Sequence, residues 1–207
     1  MDEKRNSDLG AALRGLDEVK AAQDKAPLDK SGKKGLPPVH LWEPEYCGEL
    51  DIRIARDGTW YYLGTPFKRE RLVRLFSTVL RYDDDCKYYL VTPVEKIGIT
   101  VDDVPFSIVD MDVEGEGKSR EITFTTGVGD EVTVDADHPL RITFDTDTKE
   151  PSPYVLVRAR LEGLINRAVY YKMVDIAEEN EVDGVPMFGV WSGGQFFAFA
   201  PVSELEV

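Results

Sequence analysis

The chain has 207 residues, 42% of them hydrophobic and 31% charged, with a formal net charge of −14, a composition able to bury one substantial core or two small ones. At a pI near 4.6 its field repels phosphate backbones and anionic bilayers, which argues against nucleic acid or membrane as a partner while leaving small anions free to bind at local basic sites. Cys47 and Cys86 are the only cysteines; without close spacing they build neither a zinc cluster nor a CxxC redox pair, and free thiols of a cytoplasmic protein are expected.

The opening MDEKRNSDLG lacks the apolar stretch of a signal segment, and no run approaches the roughly 18 apolar residues of a spanning helix. Residues 1–35 hold 8 cations, 7 acids and no aromatic residue, so they read as a polar tail. Leu9, Leu13, Leu16 and Val19 share one helical face there and predict a short helix. A helix this short is marginal alone, and deleting residues 1–30 is expected to leave folding intact. From Val39 the texture changes to alternating runs such as LDIRIARDGTWYYLG, KYYLVTP, PFSIVDMDV, REITFTT and YVLVRAR, punctuated by Asp-Gly, Gly-Asp and Pro, which predict strands and hairpins.

Two segments break that rhythm. In GTPFKRERLVRLFSTVLRYDDD, Leu72, Leu75, Phe76, Val79 and Leu80 recur at helical spacing with Arg71, Arg74, Thr78 and Arg81 opposite. This places Arg81 on a solvated face, where its loss should matter little. In GLINRAVYYKMVDIAEEN, Tyr170, Met173, Val174 and Ala177 define a second helix. Setting Arg69 over Arg167 aligns RERLVRLF with RAVYYKMV, each helix being preceded and followed by strands, so a strand-helix-strand unit is expected twice. The fold class is therefore α+β, rich in β, as two antiparallel β-roll domains, residues 36–95 and 96–207.

The motifs DGTWYYLGTPFKRERLVRLFSTVLR, YYLVTPVEKIGITVDDVPF, DHPLR, LINRAVYYKMV and WSGGQFFAF together resemble the proteobacterial family known as domain of unknown function 1285, over residues 36–201. The resemblance implies a duplicated β-rich core, a C-terminal part superficially like pleckstrin-homology folds, a ligand site between domains, a nucleotide-like ligand and a role in signal transduction. It brings no established activity.

Catalytic motifs fail on inspection. GEGKS at 115–119 lacks the leading glycine of a phosphate-binding loop, since Asp112 stands there, and the following REITFTT alternates like a strand. His40 and His138 lie beside no activated nucleophile. The Asp pairs and triplets, including Asp83–Asp85 and Asp102 with Asp103, lack EF-hand spacing; a metal-dependent hydrolase is the least favoured reading. No cofactor is expected.

What remains is local positive charge. Residues 36–95 hold 10 acids and 8 cations, whereas residues 96–207 hold 22 acids and 9 cations. Cations held in an acidic protein suit a selective anion seat, with arginines gripping the anion and an aromatic ring stacking on a planar group. The expected ligand-binding residues are Trp60, Arg69, Arg74, Lys96, His138, Arg141 and Arg167, with Arg69 and Arg167 sharing one group. The expected function is a non-catalytic sensor of a small anionic, nucleotide-like metabolite. A protein-interaction module that engages a signalling partner through a sheet edge or its acidic face is the alternative.

Overall fold

A computed structural model describes residues 15–25 and 35–204. The expected tail positions Leu9 and Leu13 lie outside the described residues. The chain divides into two compact units, the first ending at Asp102 and the second comprising Asp103 onward together with the short segment Ala55–Gly58. The division falls beyond the expected 95/96 boundary because the strand that starts at Lys96 pairs antiparallel with Tyr88–Val91 and belongs to the first sheet.

The first unit opens with α1 (Leu16–Lys25), followed by β1 (Tyr46–Ile54), β2 (Trp60–Tyr62), β3 (Thr65–Pro66), α2 (Glu70–Thr78), β4 (Leu80–Tyr82), β5 (Tyr88–Val91) and β6 (Lys96–Val101). In β1, Ile52 and Ile54 are buried while Asp51 and Arg53 are exposed, as period-two alternation requires of a strand with one covered face. The six strands order as β3-β2-β1-β6-β5-β4. Helix α2 lays Phe76 against Trp60 and Phe67, with ring centroids 6.5 and 6.1 Å away. It stops at Thr78, so Val79, Leu80 and Arg81 lie past the helix. The helical spacing holds for two turns; Val79 then caps the helix and Leu80–Tyr82 join the sheet instead.

The second unit runs β7 (Phe106–Glu114), β8 (Glu121–Thr126), β9 (Glu131–Thr133), β10 (Leu140–Phe144), β11 (Pro151–Arg158), β12 (Leu161–Ile165), α3 (Arg167–Asp175), β13 (Glu178–Val182), β14 (Val185–Ser192) and β15 (Gln195–Pro201). Its large sheet orders as β10-β11-β12-β7-β8-β9, and β13-β14-β15 form a separate three-stranded sheet. Ser192 on β14 joins the two sheets: its hydroxyl, fully buried, donates to the Val134 carbonyl at 2.7 Å and accepts from the Ile122 N–H at 2.9 Å.

The duplication is present, in a different register from the one the helices suggest. Each large sheet consists of two three-stranded meanders whose first and last strands meet at the centre as a parallel pair, β1 with β6 and β7 with β12. The sheets are thus mixed, antiparallel in every pairing but the central one. In the first unit α2 connects the two meanders, whereas in the second α3 follows the completed six strands. Arg69 and Arg167 therefore occupy non-equivalent places in the repeat. Their helices match in amphipathic period, which any two helices packed on one face share.

Candidate functional site

The second unit contains a pocket of about 230 Å³ where β12 gives way to α3. Its origin is local. The pairing of β11 with β12 ends at Tyr154 and Leu164, while β11 continues along β10 back to Pro151. Pro151, Ser152 and Pro153 therefore run past the end of β12 and form one wall, with Leu164 and Ile165 at its foot. Asn166 turns the chain: its side-chain oxygen accepts the Val169 N–H at 2.9 Å, capping α3 and projecting Arg167, Tyr170 and Tyr171 along the opposite wall. No acid occupies the first turn of this helix.

Two guanidinium groups line the space. Arg167 donates from Nε to the Tyr171 hydroxyl at 2.9 Å and lies 5.6 Å from that ring's centre. That hydrogen bond raises its pKa, with the Glu150 charge acting the same way. Arg56 donates from Nη2 to the Ser152 hydroxyl at 2.7 Å, and its Nε lies 3.3 Å from Asp103 Oδ2. Asp103 also accepts the Tyr154 hydroxyl at 3.0 and 3.3 Å. Burial, then this bond to a carboxylate, push the Tyr154 phenol up. Arg141 stacks 4.0 Å from the Tyr154 ring and makes a two-pronged contact with Glu162, both bonds 2.6 Å long. A continuous chain of contacts thus runs from Glu162 through Arg141, Tyr154 and Asp103 to Arg56.

Of the residues expected from sequence, Arg167 lines this pocket and Arg141 stands behind it. Trp60 is corrected to a core residue: it is 3% exposed and packs on Phe67 and Phe76, which leaves no face for a ligand ring. Lys96 donates to Asp83 at 2.8 Å and lies 4.1 Å from the Tyr89 ring centre. His138 sits in a tight turn in which Asp135 Oδ1 accepts the N–H groups of Asp137 and His138 and lies 3.0 Å from His138 Nδ1. Arg74 is exposed and 3.9 Å from Glu70 one turn earlier, and Arg69 is exposed at the start of α2.

Sequence reasoning missed Arg56, Ser152, Tyr170 and Tyr171 as site residues. Arg56 lies in ARDG, read only as a turn. Tyr170 reads from sequence only as one of the apolar positions that define α3, and it is half-buried. Among the described residues no three His, Cys, Asp or Glu side chains gather as metal ligands, and no helix is long and apolar enough to cross a membrane. GEGKS forms the β7–β8 connection, where Gly115 has φ +70° and Gly117–Ser119 make one 3₁₀ turn.

Among curated proteins none matches this chain. A crystal structure of a DUF1285 family protein from Silicibacter pomeroyi DSS-3 is 46% identical, covering 94% of this chain and 100% of that one with a TM-score of 0.78. A DUF1285 family protein from Shewanella baltica OS155 is 31% identical over 61% of this chain and 91% of that one, with a TM-score of 0.49. Residues 37–104 match the N-terminal domain of DUF1285, a domain of unknown function, and residues 105–199 match the C-terminal domain of the same family. With both domains matched end to end, the division of the fold after Asp102 falls within two residues of the seam between them, and the chain belongs to the DUF1285 family.

Proposed function

We propose that this protein is a non-catalytic sensor that binds a small anionic, nucleotide-like metabolite and reports it in signal transduction. The observation that carries the reading is the pocket of the second unit, in which Arg56 and Arg167 stand with Tyr170 and Tyr171 beside the capped start of α3. Guanidinium groups grip a carboxylate or phosphate in a planar fork, and tyrosine rings offer stacking area at little entropic cost. The N-terminal end of α3, with no acid in its first turn, adds positive potential.

The shape of the wall favours a small ligand over an added peptide strand. Pro151 and Pro153, two apart on β11, present no N–H on the strand edge they share, so a strand docking there would lack half its ladder. The measurement that tests the reading is a thermal-shift and native mass spectrometry screen of anionic metabolites against the full chain and Arg167→Ala. Ligand-dependent stabilisation that Arg167→Ala abolishes is the expected outcome. A screen in which no anion stabilises the full chain would sink it.

The interaction-module reading draws on β13, an edge strand whose Glu179 and Glu181 are exposed. Such acids also simply protect an edge from pairing. Salt-sensitive capture of a basic partner, lost in Glu179→Lys with Glu181→Lys, would favour it.

A further inference from the structure

Charge and volume restrict the ligand further. Around the pocket, Arg56 is faced by Asp103 at 3.3 Å and the lining acid Glu150 is near enough to Arg167 to act on its charge. The two cations are thus nearly balanced before any ligand arrives. They belong to the second unit, residues 55–58 and 103–207, which holds 22 acids against 9 cations, so the field beyond the pocket opposes each added negative charge. The space, about 230 Å³, is below the roughly 300–1,000 Å³ of sites for drug-sized molecules.

Resting on the anion-binding reading above, we propose that the pocket selects a singly charged acid carried on one planar ring system, and that Glu150 is the residue that rejects more highly charged ligands. A ring-bearing carboxylate and a phosphodiester share this chemistry. A phosphomonoester carries about −1.5 to −2 at neutral pH and a polyphosphate carries more. Glu150 is placed for this by its backbone: its carbonyl accepts the Asp145 N–H at 2.9 Å and its N–H donates to the Thr148 hydroxyl at 3.3 Å, which fixes the residue at the β10–β11 turn while its side chain stays exposed.

The test keeps one ring and varies the charge. Adenosine, cyclic AMP, AMP and ATP are titrated into the full chain by calorimetry, with indole-3-carboxylate as a ring acid without a phosphate. The expected affinity order is cyclic AMP above AMP above ATP, with adenosine weak; if indole-3-carboxylate alone binds, the source of the single charge is a carboxylate. In Glu150→Gln, AMP is expected to gain about fivefold relative to cyclic AMP, the scale of one unit charge a few ångströms away in water. If ATP or AMP binds as tightly as the singly charged probes, the selection rule is overturned while anion binding stands. If Glu150→Gln leaves the ratio unchanged, Glu150 is not the filter. If none of the five probes binds, the rule falls together with the pocket's role as an anion site.

Discussion

Arg81 shows how far a side chain's role depends on where a helix ends. Because α2 stops at Thr78, Arg81 belongs to β4 and turns inward, with its side chain 16% exposed. It donates to the Trp42 carbonyl at 2.6 Å, to the Val39 carbonyl at 3.3 Å and to both oxygens of Asp83 at 2.6 and 3.1 Å. The substitution expected from sequence to be harmless therefore removes a buried donor from several acceptors at once. Each buried group left unpaired costs about 1–3 kcal/mol, so Arg81→Ala is expected to lower the urea midpoint clearly, whereas Arg71→Ala on the exposed face of α2 should not. The same residue sets an acid limb. Burial pushes the Asp83 carboxyl up, but hydrogen bonds and charge from Arg81 and Lys96 outweigh it and hold the carboxyl below its ordinary value. Folded Asp83 then binds fewer protons than unfolded Asp83. Its contribution is complete above the unfolded pKa of about 3.9 and is lost as pH falls through the lower folded value. Asp83→Asn should accordingly flatten the loss of stability below about pH 4, as read by unfolding at a series of acid pH values.

At the scale of elements, the packing of α2 on the first sheet was legible and the site was not. Leu72, Leu75 and Phe76 at helical spacing marked a covered face, and Phe76 is indeed fully buried among Trp60 and Phe67. Phe76→Ala is expected to cost about 3–5 kcal/mol, and Leu75→Ala, only half-buried, less; equal effects by denaturant titration would contradict this packing. Trp60 was misread because three consecutive aromatics do not reveal which of them faces inward. The partner strand decides that, through the register of Trp60 with Ile54. The pocket escaped for a related reason. It arises where β11 outruns β12, and its cations come from positions 56 and 167, too far apart for any window of sequence to join. Gly189 carries another constraint that spacing cannot show. A Cβ there would stand 2.2 Å from the Phe197 carbonyl oxygen across the β14–β15 ladder. Gly189→Ala is expected to destabilise by about 1–3 kcal/mol through forced backbone shifts, visible as a lower thermal midpoint, while the same change at Gly184, with open space around it, is limited to the strain of its positive φ.

For the molecule as a whole, the N-terminal segment tests whether polar composition means dispensable. Residues 1–35 are too polar to form a core of their own, and that inference holds for folding in isolation. It does not extend to docking. Val19 of α1 is fully buried, and Gly15, just before the helix, has φ +79° with its α-carbon so placed that a Cβ would come 2.7 Å from Val94 Cγ2 and 2.8 Å from the Thr92 hydroxyl oxygen. The helix thus starts hard against the β5–β6 turn, where Thr92 and Glu95 are themselves buried, and a close approach at positive φ is what glycine alone permits. Burying one valine contributes about 1.5–3 kcal/mol, and in a chain of this size each kcal/mol moves the thermal midpoint by roughly 2–4 °C. Deleting residues 1–30 is therefore expected to lower the midpoint by several degrees. Val19→Ala in the full-length chain should reproduce part of that drop by emptying the buried site, and Gly15→Ala should do so by lifting the start of α1 off Thr92 and Val94. Because Gly15 and Val19 both lie in the deleted segment, neither substitution exists in the truncated chain, so the comparison is between full-length variants and the truncated chain. A truncated chain that melts at the same temperature as the full one would mean that α1 rests on the first unit without stabilising it.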